Sequence, residues 1–236
     1  MTPEGGGTLS LIVGAVLLRL VATGTYRQYV KPVMGLWLVV AGVVLVVLGL
    51  VVVVRTLWSP VSTHEDAHGH GENHGRHGSE RIAWLLVAPV LTLLLVAPPA
   101  LGSFALNRGS ARVTTATKSN WTPLTAGPEP VVLTLAEFYQ RAFGGGAAVF
   151  DGATVQLVGF VASASGNGFV LARYQIACCA ADASAAVTRV VGYPGAPPAR
   201  DRWVTVTGTF DRVADGMPLL IAVRLTPIPT PADPYE

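Results

Sequence analysis

Residues 32–54 run for 23 positions without a charged side chain, so this chain cannot fold as an ordinary soluble globule. A helix needs about 20 apolar residues to cross the hydrocarbon core of a bilayer. From Gly35 to Val54 the segment reads GLWLVVAGVVLVVLGLVVVV. It has no polar face, and a surface helix must show one to water. A second charge-free run covers residues 82–107, 26 positions long. Pro89, Pro98 and Pro99 would break a soluble helix there, but transmembrane helices tolerate them. A third apolar stretch, Leu9 to Thr25, is broken only by Arg19. At mid-span an arginine costs about 2.5–3.5 kcal/mol, and Arg19 is placed to snorkel toward the Thr25 end. Three membrane helices are therefore expected, at about 9–25, 33–55 and 82–106. The leader MTPEGGGTLS holds one Glu and no basic residue, unlike the positive start of a signal peptide. The first stretch is read as a retained span.

Composition agrees with this. Charged residues make up 13% of the chain, against about 25% in soluble domains. A hydrophobic fraction of 51% rules out a disordered chain. The net charge of +2 comes from 16 basic and 14 acidic residues. That balance lacks the concentrated basic face of a nucleic-acid binder, so no nucleic-acid partner is expected.

Charge returns after residue 107, and Gly and Pro begin to punctuate short apolar runs. We expect a membrane domain over 1–107, a polar linker over 108–130 and a soluble, mainly-β domain over 131–236. Residues 133–144 (LTLAEFYQRAFG) read as a short helix with Leu135, Phe138 and Phe143 on one face. Five β-branched or aromatic runs follow, at 154–162, 169–178, 186–192, 202–210 and 218–225. SGNG at 165–168 marks a hairpin between the first two, and Asp151-Gly152 and Asp215-Gly216 read as turns. Five short strands in so small a domain predict a closed, OB-like barrel. Residues 193–201 (YPGAPPARD) leave no room for a helix between the third and fourth strands.

Two clusters carry chemistry. His64, His68, His70, His74 and His77 are the chain's five histidines, and all lie in the 58–81 loop between the second and third spans, interleaved with Glu65, Asp66 and Glu72. Imidazole and carboxylate suit zinc, nickel and copper. Gly69, Gly71 and Gly75 let the loop fold several ligands onto one ion. There is no HExxH spacing, so a fluxional site is expected and no preformed catalytic one. The second cluster is Cys178-Cys179, followed by Asp182. On a regular strand adjacent side chains point to opposite faces, and the thiols could not share an ion. If the strand ends or bulges there, both thiols converge and Asp182 becomes a third ligand. Metal ligation, a redox pair and buried small residues are the three readings of the pair. With three spans, the histidine loop and the cysteines lie on opposite sides of the membrane, so they cannot build one site within one chain.

Elsewhere, Gly35, Gly42 and Gly49 recur every seven residues on the second span. That stripe admits a close helix partner, read as a second copy or another membrane protein. Trp37, Trp58 and Trp84 read as interface anchors. No phosphate loop, G-x-S-x-G or paired-carboxylate arrangement occurs, and no enzyme activity is expected.

Several segments together resemble the bacterial YcgQ-like family. They are RYQIACCAADA, the V-T-G-T-F run at 206–210, the P-x-D-P-Y ending, and TYRQYVKP between the first two spans, ahead of the His-rich loop. The resemblance covers nearly the whole chain. It implies a permease subunit acting beside a separate, multi-spanning permease-like protein, often in zinc homeostasis. It carries over His64, His68, His70, His74, His77, Cys178, Cys179 and Asp182 as candidate ligands for Zn2+. The alternatives are a membrane-tethered thiol redox protein and a purely structural barrel tether. A multi-pass protein of the bacterial cell membrane is expected, in contact with lipid and open to homo-oligomerisation. Basic residues near the span ends vote five to three for a cytoplasmic barrel. Analogy with metal transporters that keep His-rich loops in the cytosol favours an extracytoplasmic one, and that is the side expected.

Overall fold

The computed structural model describes residues 3–58, 100–107, 111–112 and 120–236. The histidine loop, Trp84 and most of the expected third span fall outside the described residues. Two compact units form: Met1–Tyr26 with Val33–Pro98, and Arg27–Pro32 with Pro99–Glu236.

The first unit is a helical hairpin. α1 spans Pro3–Ala22 and α2 spans Gly35–Trp58, and both are long and apolar enough to cross a membrane. At 24 residues, α2 is about 36 Å long, more than the roughly 30 Å hydrocarbon core. Its glycine stripe is the seam. Gly35, Gly42 and Gly49 are the buried residues of α2. A Cβ on Gly49 would meet Gly7 O at 2.7 Å, and one on Gly14 would meet Gly42 O at 2.8 Å. The partner of the stripe is thus the chain's own first helix, where a second copy or another protein was expected. Small residues permit this because lipid offers no hydrophobic drive and helices associate by close packing. Away from this seam α2 shows mostly exposed hydrocarbon, with Leu36, Trp37, Val40, Val47 and Leu57 all open. α1 starts six residues earlier than the expected span, which moves Arg19 from mid-span to the last helical turn. There its charge faces the negative helix end.

The second unit is the barrel. Its elements are α3 (Ser103–Asn107), β1 (Ala111–Arg112), β2 (Val131–Val132), α4 (Leu135–Gly144), α5 (Ala147–Phe150), β3 (Thr154–Ser165), β4 (Gly168–Gln175), β5 (Ser184–Val191), β6 (Trp203–Ala214) and β7 (Met217–Ile228). Strands run β5-β4-β3-β6-β7, and a parallel β5–β7 pairing closes the ring. This is the five-stranded, OB-like barrel expected. β1 and β2 add short parallel pairings to β5 and β3. The β6–β7 hairpin turns at Asp215-Gly216, both with positive φ (51° and 70°), the pattern of a two-residue turn that matches strand twist. Gly208 sits at a register shift between β6 and β7, with Ile221 backbone where a Cβ would lie. A bulge there bends the sheet toward closure.

The barrel interior holds Val155, Leu157, Leu171, Val190, Val204, Val206 and Leu220, all fully buried. α4 touches all five barrel strands and covers one end. Phe138 anchors it beside Phe150 and Phe210, with ring centroids 5.2 and 6.0 Å away. Thr134 caps α4 by accepting the Glu137 N–H at 3.0 Å. The second half of the expected linker packs here too. Arg141 lies 4.6 Å over the Trp121 ring and donates to Thr122 O. Residues 100–106, expected to end the third span, lie instead with the barrel. Ser103 is buried and donates from both N–H and Oγ to the Asp201 carboxylate, at 2.7 and 2.9 Å.

Candidate metal centre

β4 ends at Gln175, three residues earlier than the sequence pattern suggested. The reason lies in its partners. β5 pairs with β4 only as far as Ser184 opposite Gln175, and the chain between them must turn back. Ile176 is buried, and its N–H donates to Glu236 O. Beyond it, Ala177, Cys178 and Cys179 wrap around one carboxylate. Asp182, on the turn Ala180–Asp182, accepts the N–H of Ala177 at 2.7 Å, of Cys178 at 2.9 Å and of Cys179 at 3.1 Å. It also accepts the Cys178 thiol at 2.9 Å. The wrap abolishes strand alternation, so the two thiols no longer point to opposite faces. The Sγ atoms of Cys178 and Cys179 and a carboxylate oxygen of Asp182 all lie within 4.8 Å of one another.

Cys178 and Asp182 are exposed and Cys179 is half-buried. Both thiols are free. Neither is a buried packing group, which removes one of the three readings. The electrostatics bear on the other two. The hydrogen bond to Asp182, helped by Cys179, pushes the Cys178 thiol up to about 11. That same thiol and three backbone N–H groups hold Asp182 well below the usual carboxylate range. Near neutral pH Cys178 is a thiol donating to a carboxylate. A nucleophilic redox cysteine needs the opposite, a stabilised thiolate. A cation, by contrast, could take all three donors at once, expelling the protons the thiols carry as it binds. Two sulfurs and a carboxylate oxygen form a donor set that suits zinc.

The turn is held from outside by residues 29–31. Val30 pairs antiparallel with Cys179. Ala180 N–H donates to Tyr29 O at 2.7 Å, and Lys31 N–H donates to Cys178 O at 3.0 Å. The C-terminal segment braces the same region. Tyr235 Oη accepts the Leu101 N–H and donates to Gln28 O at 2.8 Å. Arg173 donates to Asp233 O. The Glu236 carboxylate accepts the Leu135 and Ala136 N–H groups at 2.8 and 2.9 Å, capping α4. Burial pushes the Glu236 carboxyl up, against those donors and Arg173, which lower it. A cavity of about 240 Å³ opens beside the turn, lined in part by Arg27, Lys31, Ile176 and Tyr235.

The sequence named Cys178, Cys179 and Asp182, and the structure brings them together. His64, His68, His70, His74 and His77 lie outside the described residues. Sequence reasoning missed Tyr29, Lys31, Tyr235 and Glu236 as parts of the site. The signal was there in part, since TYRQYVKP, RYQIACCAADA and the P-x-D-P-Y ending were each distinctive, and the three meet one another beside this turn.

The same three segments lie within two family matches. Residues 8–110 match the DUF1980 N-terminal domain, and residues 142–236 match the DUF1980 C-terminal domain. The chain carries both DUF1980 domains. The membrane hairpin lies in the first, and the cysteine turn and the barrel strands lie in the second. No curated protein matches the chain. Among solved structures, the telomere capping protein Ten1 from Saccharomyces pombe is 12% identical, covering 42% of this chain and 81% of that one, with a TM-score of 0.28. The S. pombe Stn1-ten1 complex gives 10% identity, 44% and 81% coverage, and a TM-score of 0.27. Likeness this slight carries no functional argument.

Proposed function

We propose that this protein is a membrane-anchored accessory subunit of a transport system, and that it handles a transition-metal ion, zinc first, at the Cys178-Cys179 turn. The observation that carries the reading is the convergence of two thiols and a carboxylate within 4.8 Å on an accessible turn. The YcgQ-like resemblance supports a bacterial setting and a separate multi-spanning permease as partner. A few spans without internal repeats are too little for a complete transporter path, which favours a subunit over a pore. The protonated state of Cys178 argues against the thiol-relay alternative.

Residues 27–32 fold with the barrel, and in sequence they join α1 to α2. This supports one membrane face for that loop and the barrel. The histidine loop leaves the far end of α2, so it serves the other face, as a second and separate site. In this reading the barrel is extracytoplasmic and the histidines gather metal in the cytosol.

The test is metal content of the detergent-purified protein in three forms: the full chain, a deletion of 64–77, and Cys178→Ser/Cys179→Ser. Zinc retained at one or more equivalents, and lowered in either variant, is the expected result. No metal above background in any form, after loading and washing, would overturn the reading.

A further inference from the structure

Resting on that reading, we propose that an ion at the cysteine turn keeps one coordination position open, so that cargo enters and leaves by ligand exchange with a carrier bearing a thiolate or imidazole. Zinc in a closed structural site takes four protein ligands, whereas an open site has three and a replaceable fourth. The described residues supply three donors here: Cys178 Sγ, Cys179 Sγ and an Asp182 oxygen. The chain's histidines lie beyond α2, on the opposite face by the argument above. Two carbonyls around the turn are already engaged, Cys178 O by Lys31 N–H and Tyr29 O by Ala180 N–H. The open position points to solvent, where Cys178 and Asp182 are exposed.

Asp182 suits exchange for a second reason. Its carboxylate holds the turn through three bonds from the chain's own backbone N–H groups, so the turn does not depend on an ion to gather it. The thiols thus stay together in the metal-free state. The exchange balances: the ion forms bonds to Cys178 Sγ, Cys179 Sγ and an Asp182 oxygen as its bonds to all but one of the carrier's ligands break, the protons the thiols carry pass to those released ligands or to solvent, and the one remaining carrier ligand holds the fourth position. Departure reverses each step, with protons returning to both sulfurs.

Cobalt(II) is the probe. It would be loaded into the full chain in detergent, with the five loop histidines changed to Asn so that only the turn reports. One cobalt per chain is expected, with sulfur-to-cobalt charge-transfer absorption of two-thiolate intensity that Cys178→Ser/Cys179→Ser abolishes. Imidazole added at millimolar levels is expected to shift the visible ligand-field bands saturably. Bands that ignore imidazole, or four-thiolate intensity from two chains sharing an ion, would overturn the open position and leave metal binding standing. No cysteine-dependent cobalt or zinc at all would overturn both. Near-UV circular dichroism of the full chain, to which buried Trp203 contributes, checks that the variants keep the barrel. If the double variant loses that signal, Cys179→Ser alone supplies the comparison, with the charge-transfer intensity expected to halve.

Discussion

At the scale of single residues, Asp182 controls the site. It is a clasp before it is a ligand, because its carboxylate gathers three consecutive N–H groups and a thiol. Two expectations follow for pH. In a Cys179→Ser background, the rate of iodoacetamide reaction at Cys178 should keep climbing with pH beyond the usual thiol range, because the hydrogen bond to Asp182, the largest cause of the raised value, remains. Adding Asp182→Asn should move that climb to lower pH, because the carboxylate no longer opposes the thiolate; an unchanged profile would show that Asp182 does not govern the thiol. The second concerns acid. A carboxylate whose folded value is depressed stabilises the fold above its unfolded value, and loses that contribution as pH falls through the folded one. The order of the turn, followed by the amide signals of Ala177–Cys179, should therefore persist through mildly acidic pH and fade only well below the usual carboxylate range.

At the scale of elements, two joints matter most. The first is the cap on α4, where Glu236 accepts two N–H groups at the helix start. Glu236→Ala leaves those donors without their acceptor and should cost about 1–2 kcal/mol, read as a lower Tm for the barrel. The second is the pairing of residues 29–31 with the cysteine turn. Lys31→Pro removes the N–H that meets Cys178 O and should cost about 1–3 kcal/mol and weaken metal binding. Lys31→Ala keeps the N–H and loses only the bond from Nζ to Ile176 O, so it should cost less and leave metal binding in place; equal effects would place the role in the side chain. The membrane hairpin has its own check. A Cβ at Gly14 would already lie 2.8 Å from Gly42 O. Gly14→Val adds two methyl groups to that Cβ and should lower hairpin stability in detergent by about 1–3 kcal/mol. Gly6→Ala meets nothing within 4 Å and should be silent.

At the scale of the whole molecule, the two candidate metal clusters should face different compartments. A membrane-impermeant maleimide applied to oriented vesicles should label Cys178 from one side. A cysteine placed at position 70 by His70→Cys, with Cys178 and Cys179 changed to Ser, should label from the other. Labelling from the same side would remove the crossing expected between the histidine loop and the barrel. Much of this architecture was legible in advance. The apolar run of α2, the five barrel strands, the SGNG and Asp-Gly turns and the α4 helix follow from local patterns of hydrophobicity and turn chemistry, which need no knowledge of distant neighbours. The sequence by itself thus determined that there are membrane helices, a small barrel and a cysteine pair worth examining. Only the tertiary structure decided that β4 stops at Gln175, that the glycine stripe packs on α1, that residues 29–31 pair with the turn, and that the C-terminal tail bonds to the chain just before it. Those outcomes depend on hydrogen bonds and close contacts between residues far apart in the chain, and periodicity along one segment carries no record of what will lie across from it.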